Sequence, residues 1–131
     1  MLQSKHRTTV NVGELCRRTK AFALQVIALA NELPGTPVGR TIQKQLLKSG
    51  TSAGANYRAA MRAKSNADFI AKMGTVEEET DESMYWMEII SEAGILQEEK
   101  VSSLYAEADE ILAMVVSSIQ TARNRPVEGK S

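Results

Sequence analysis

From Val12 to about Glu32 the chain carries one apolar stripe. Leu15, Phe22 and Leu29 recur at intervals of seven, with Val26 and Leu33 as a companion series. That spacing predicts an amphipathic helix. Pro34-Gly35-Thr36-Pro37 stops it, because proline cannot continue the hydrogen-bond ladder and glycine permits the turn. Thr36 then reads as the N-cap of a second helix, with Pro37 at the first helical position, where a missing N–H costs nothing. Ile42, Leu46, Leu47, Ala53, Tyr57 and Ala60 form its apolar side. Its centre, Gly50–Ala55, is small and polar. A helical glycine costs about 1 kcal/mol relative to alanine, so Gly50 and Gly54 imply close approach of another backbone; a break near Gly50 is the alternative.

Ser65 followed by Asp68 resembles a capping box, with aspartate in place of the usual Glu or Gln, and opens a third helix. Phe69, Met73, Val76, Thr80, Ser83, Met87, Ile90 and Gly94 then alternate by four and three. This is heptad a/d spacing over nearly four repeats, and about 28 residues of it span roughly 42 Å. Gly94 is the expected stop. A fourth helix follows over about Glu98–Arg123, with Leu104, Ala108, Ile111, Val115 and Ala122 in one stripe, widened by Leu112 and Ile119. Glu98 and Glu99 at its start and Arg123 at its end suit the helix dipole. Four amphipathic helices with short joints predict an all-α, antiparallel up-down-up-down four-helix bundle. The expected organisation is a single domain over 1–131, with a core of about 12–123 and flexible tails.

With 43% hydrophobic and 24% charged residues, the composition is that of an ordinary globular protein. The one cysteine, Cys16, excludes an internal disulfide and a thiolate zinc cluster, and reads as a small helical residue. Met1–Asn11 is polar and unlike a signal peptide, and no apolar run reaches the 18 or so residues of a membrane span. A reducing cytoplasm is the expected location. Zero net charge conceals an asymmetry: residues 1–72 hold 12 Lys/Arg against 3 Asp/Glu, or +9, and residues 73–131 hold 4 against 13, or −9. Such halves point either to a nucleic-acid partner or to basic and acidic helices that neutralise each other, within one subunit or across an interface.

The most distinctive residues are G-T-S-A-G-A-N-Y-R-A-A (Gly50–Ala60), S-N-A-D-F-I-A-K (Ser65–Lys72) and E-E-T-D-E-S-M-Y-W-M-E (Glu78–Glu88). They resemble the signature of the four helix bundle protein family, which includes proteins encoded in intervening sequences of bacterial large-subunit ribosomal RNA genes. The resemblance spans about residues 12–123. Where the family pattern reads S-I-G-A-N-Y-R-E-A, this chain has Ala53 for the isoleucine and Ala59 for the glutamate, and methionine replaces leucine at Met73, Met84 and Met87. The resemblance implies a four-helix subunit, ring-shaped homopentamers, no established active site, and, in a distant branch, accessory proteins of diversity-generating retroelements that bind nucleic acid and a reverse transcriptase.

Among individual residues, Arg40, Lys44 and Lys48 at i, i+4 and i+8 make one basic ridge, extended by Arg58 and Arg62. A ridge of this kind either tracks RNA or DNA phosphates or pairs with an acidic neighbour. Aromatics are only 5%, so stacking platforms for bases are scarce. The acidic run Glu77, Glu78, Glu79, Asp81 and Glu82 spreads around its helix, and the sole histidine, His6, lies outside the helical region, so the Glu-x-x-His pairs of a di-metal bundle are missing. No metal, cofactor, catalytic residue, membrane partner or small-molecule substrate is expected. Ser52 and Asn56 share one helix face and lack a neighbouring base; they are expected to hydrogen-bond across helices and fix register. Ser65, Asp68 and Phe69 complete the structural motif. Tyr57, Arg58, Glu78, Glu82, Tyr85 and Trp86 are the expected oligomer interface. Tyr85 and Trp86 are neighbours, about 100° apart on a helix, so one of them must face away from the core.

Overall fold

The computed structural model describes residues 12–126, and these form four helices: α1 (Val12–Ala30), α2 (Pro37–Ala60), α3 (Asn66–Glu92) and α4 (Glu98–Arg123). His6 lies outside the described residues. Each helix packs on its neighbours in sequence, and α4 closes the ring on α1, while the diagonal pairs make no contact. Four antiparallel helices around one core follow from this adjacency. None of them is long and apolar enough to cross a membrane.

Most boundaries have local causes. Thr36 caps α2, its hydroxyl accepting from the Gly39 N–H at 3.1 Å, with Pro37 in the first turn. Ser65 caps α3 by accepting from the Asp68 N–H at 3.0 Å. The Asp68 carboxylate reaches back to the Lys64 N–H at 3.1 Å, one residue before the position a capping box usually serves. Gly94, at φ +70°, ends α3 in the left-handed conformation that suits glycine. There the Ile95 N–H donates to the Ile90 carbonyl and the Gly94 N–H to that of Ser91, a Schellman ending. The first helix stops at Ala30 rather than Glu32; residues 31–33 continue as a turn that still buries Leu33. In place of a basic last turn, the Gln43 side chain donates to the Ala30 carbonyl at 2.9 Å, fastening α2 to the end of α1.

The core follows the heptad positions of α3. Met73, Val76, Thr80, Ser83, Met87 and Ile90 are all fully buried, opposite Leu15, Phe22, Val26, Leu46, Ile111 and Val115. Phe69 packs on its edge. Helix α2 runs unbroken through Gly50 and Gly54, and both glycines face α1. A Cβ at Gly50 would stand 2.7 Å from the Val26 methyls, and one at Gly54 would stand 3.2 Å from the Thr19 carbonyl oxygen. The small-xxx-small spacing therefore brings α1 and α2 into close contact.

Candidate functional site

All five cations of the predicted ridge are exposed. By helical geometry Arg40, Lys44, Lys48 and Arg58 fall within an arc of about 80° on the outward side of α2, because the apolar positions of that helix occupy the opposite side; Arg62 lies in the turn after the helix ends at Ala60. Arg40 folds back and donates through Nη1 to the Gly35 carbonyl. Lys44, Lys48, Arg58 and Arg62 take part in no ion pair among the described residues. Between Lys48 and Arg58 the face is small-featured. Thr51, Gly54 and Ala55, with Cys16, Thr19 and Ala23 of α1, line a groove of about 310 Å³ edged by Lys20 and Arg58.

Beside it, α3 presents acid. Glu78, Glu82 and Tyr85 lie within an arc of about 60°, and none of Glu77, Glu78, Glu79, Asp81 and Glu82 forms an ion pair among the described residues. Burial, then the like charge of Glu82, holds the Glu79 carboxyl above its usual range, while Lys48 pulls the other way. The basic ridge and the acidic ridge thus run side by side without salt bridges. Tyr85 projects outward, 52% exposed, its ring edge-on to Trp86 at 5.0 Å. Trp86 is half-buried against the core and donates from Nε1 to Glu82 Oε2 at 3.2 Å. Tyr85 is accordingly the outward member of the pair.

Two expected placements need correction. Tyr57 is 1% exposed and belongs to the core, so it offers no side-chain surface to an interface; its ring is large enough to make burial the favourable choice. Ser52 and Asn56 do not bond across helices. The Asn56 amide donates to the Ser52 carbonyl at 2.9 Å, one turn back in the same helix. The crossing bond runs instead from Ser83 Oγ to Ser49 Oγ at 2.9 Å, fully buried between α3 and α2. Ser83 was legible as a polar heptad position; its partner Ser49 was not, because serine carries no periodic signal. Also missed were Leu24 and Ile27, 61% and 40% exposed on the outer side of α1, which fall off the core stripe.

Charge pairing across helices occurs elsewhere. Arg18 of α1 meets Glu107 of α4 through two hydrogen bonds, at 2.9 and 2.8 Å, and Glu110 at 2.6 Å, with Glu14 at 3.3 Å. Hydrogen bonds to Glu107 and Glu110 hold the guanidinium even further above neutral pH than usual. Lys100 reaches Glu32 at 3.1 Å. Among the described residues no three His, Cys, Asp or Glu side chains converge on a place for a metal ion.

With four helices, the Gly50–Ala60 segment and the third-helix heptads in place, the comparison with known families is decisive: residues 13–117 match the model of the 23S rRNA-intervening sequence protein. The chain belongs to that family. A crystal structure at 1.70 Å from Bacteroides thetaiotaomicron VPI-5482, described as a protein of unknown function from the S23 ribosomal protein family, is similar. It is 31% identical over 83% of this chain and 97% of the other, with a TM-score of 0.78. No curated protein matches. Family membership and structural similarity together establish the bundle; the similar crystal structure is of a protein described as of unknown function.

Proposed function

We propose that this protein is a non-enzymatic, cytoplasmic subunit that assembles with copies of itself, as a homopentameric ring, and acts as a scaffold or binding protein. The observation that carries this reading is the unpaired charge on α2 and α3. Lys44, Lys48 and Arg58 on one helix, Arg62 in the turn that follows it, and Glu78 and Glu82 on the next helix leave their ion-pairing capacity unused within the subunit. Basic and acidic surfaces at different places on one molecule are complementary head to tail, and head-to-tail contacts close into rings. Tyr85 beside the acids supplies a large amphipathic side chain of the kind that anchors interfaces. The groove edged by Lys20 and Arg58 is a concave surface of matching charge. Native mass spectrometry of protein purified without nuclease treatment tests this. Five-subunit particles are expected; monomers at micromolar concentration would end the proposal.

A second reading has its own support. The same four cations are exposed on α2 and the turn after it, and the family's name ties it to ribosomal RNA genes. In that reading the protein is a nucleic-acid-binding accessory factor, serving a reverse transcriptase or another RNA- or DNA-handling partner, with Arg40, Lys44, Lys48, Arg58 and Arg62 on phosphates. Phosphate binding weakens steeply with salt. Lys44→Glu with Lys48→Glu should abolish RNA and DNA retention at low salt; unchanged affinity removes the second reading.

A further inference from the structure

At the end of the bundle where α2 passes to α3 and α4 finishes, residues of all four helices line an open cavity of about 480 Å³. That volume lies in the range of small-molecule sites. Its lining combines Tyr57, Lys64, Ser118, Thr121 and Arg125 with the first turn of α3 at Asn66, and among the described residues it includes no carboxylate. The Asn66 amide donates to the Ala122 carbonyl at 2.8 Å and pins the start of α3 to the end of α4, so the mouth has a fixed frame. Lys64 and Arg125 are exposed and belong to no ion pair among the described residues. Among the described residues the acid nearest in sequence to Lys64, Asp68, is occupied by Lys72 Nζ at 2.7 Å and by the Lys64 N–H.

Tyr57 is the independent observation. It is 1% exposed, and its hydroxyl makes no hydrogen bond among the described residues. Yet among the described residues no sealed side-chain oxygen lacks a partner. The accessible remnant of Tyr57 must therefore include the hydroxyl, and the cavity is the opening that this residue lines. Burial pushes the phenol up to about 12, so near neutral pH it is an O–H donor. An accessible O–H donor without a protein acceptor among the described residues, two cations and the Asn66 and Ala67 N–H groups that the Ser65 cap does not serve all ask for the same thing, an anion with several acceptor oxygens.

We propose that this bundle-end cavity binds a phosphate group, free or as a small phosphomonoester. The α3 first turn, Lys64 and Arg125 would meet its oxygens, and the Tyr57 hydroxyl would donate from below. The site lies apart from the outer faces of α2 and α3 and does not depend on the assembly reading. Phosphorus NMR of inorganic phosphate and of adenosine monophosphate, with and without the full chain at an ionic strength matched with chloride, tests it. Saturable changes are expected for at least one probe; both together mean that an ester fits, and inorganic phosphate alone means that the site takes the free ion. Arg125→Gln and Lys64→Gln, at exposed positions, should each raise Kd about fivefold or more. Tyr57→Phe, which keeps the ring in the core, should raise it roughly fivefold. No saturable change for either probe, or binding indifferent to all three substitutions, would overturn the proposal.

Discussion

The seam between α1 and α4 and the paired outer faces of α2 and α3 treat charge in opposite ways. On the first, Arg18 is enclosed by Glu14, Glu107 and Glu110, all within 3.3 Å. On the second, four cations and several carboxylates run side by side and form no ion pair among the described residues. Both arrangements arise from a chain whose halves carry +9 and −9, so composition alone does not decide which charges meet. Position does. Arg18 lies at the edge of α1 facing α4, where fork-shaped pairing with a carboxylate is within reach. Lys44, Lys48, Arg58 and Arg62 point away from the bundle, where a second subunit or a polyanion is the available counter-charge. An internal seam is finished within the monomer; an outer face is not.

The contrast is broken or sharpened by substitutions of decreasing effect. Opening the tight α1–α2 contact comes first: Gly50→Leu would drive a branched side chain into the Val26 methyls, which even a Cβ would approach to 2.7 Å. A loss of about 3 kcal/mol or more in urea unfolding is expected. Exchanging the crossing hydroxyl bond comes next. Ser83→Ala leaves the Ser49 hydroxyl without that partner in a sealed interior, at a cost of about 1–3 kcal/mol; an unchanged midpoint would show that the bond is incidental. Arg18→Ala on the finished seam should cost about 1 kcal/mol, since its partners are partly solvated, and the loss should shrink in high salt.

Smallest is the pH dependence of the α3–α4 contact. Tyr105 donates to Glu88 at 2.6 Å, which holds its phenol up at about 12. A folded pKa above the unfolded value near 10 means that this contribution is complete below pH 10 and disappears as pH rises towards 12. Tyr105→Phe should remove that contribution at neutral pH, where it is complete, and flatten the stability profile between pH 10 and 12.

How much of this was legible in the sequence follows from the type of signal. The heptads of α3 name its buried positions, because a 3.5-residue repeat has one physical meaning over that length. Thr36, Pro37, Ser65 and Gly94 mark helix ends through local backbone chemistry, and so they could be read locally. Gly50 and Gly54 announce a close approach without saying which helix makes it, since the partners, Val26 and Thr19, lie more than twenty residues away. Arg18 with Glu107 is separated by 89 positions, and no periodicity reports that pairing. Tyr57 was misread because a phenol suits either a core or an interface, and only packing distinguishes them. On the candidate site, the basic ridge and the outward turn of one of Tyr85 and Trp86 were readable from spacing alone; which of the two it is, and that no salt bridges join the ridge to α3, were not.

Charge exchange across the proposed contact is the most direct test of the central claim. Lys44→Glu with Lys48→Glu, and separately Glu78→Lys with Glu82→Lys, should each reduce the oligomer to smaller species in native mass spectrometry. All four substitutions together restore opposite signs on meeting faces, and the account predicts that the assembly returns. If the wild-type chain is monomeric, or if the fourfold variant stays dissociated while folding normally, the unpaired faces of α2 and α3 do not meet in that way.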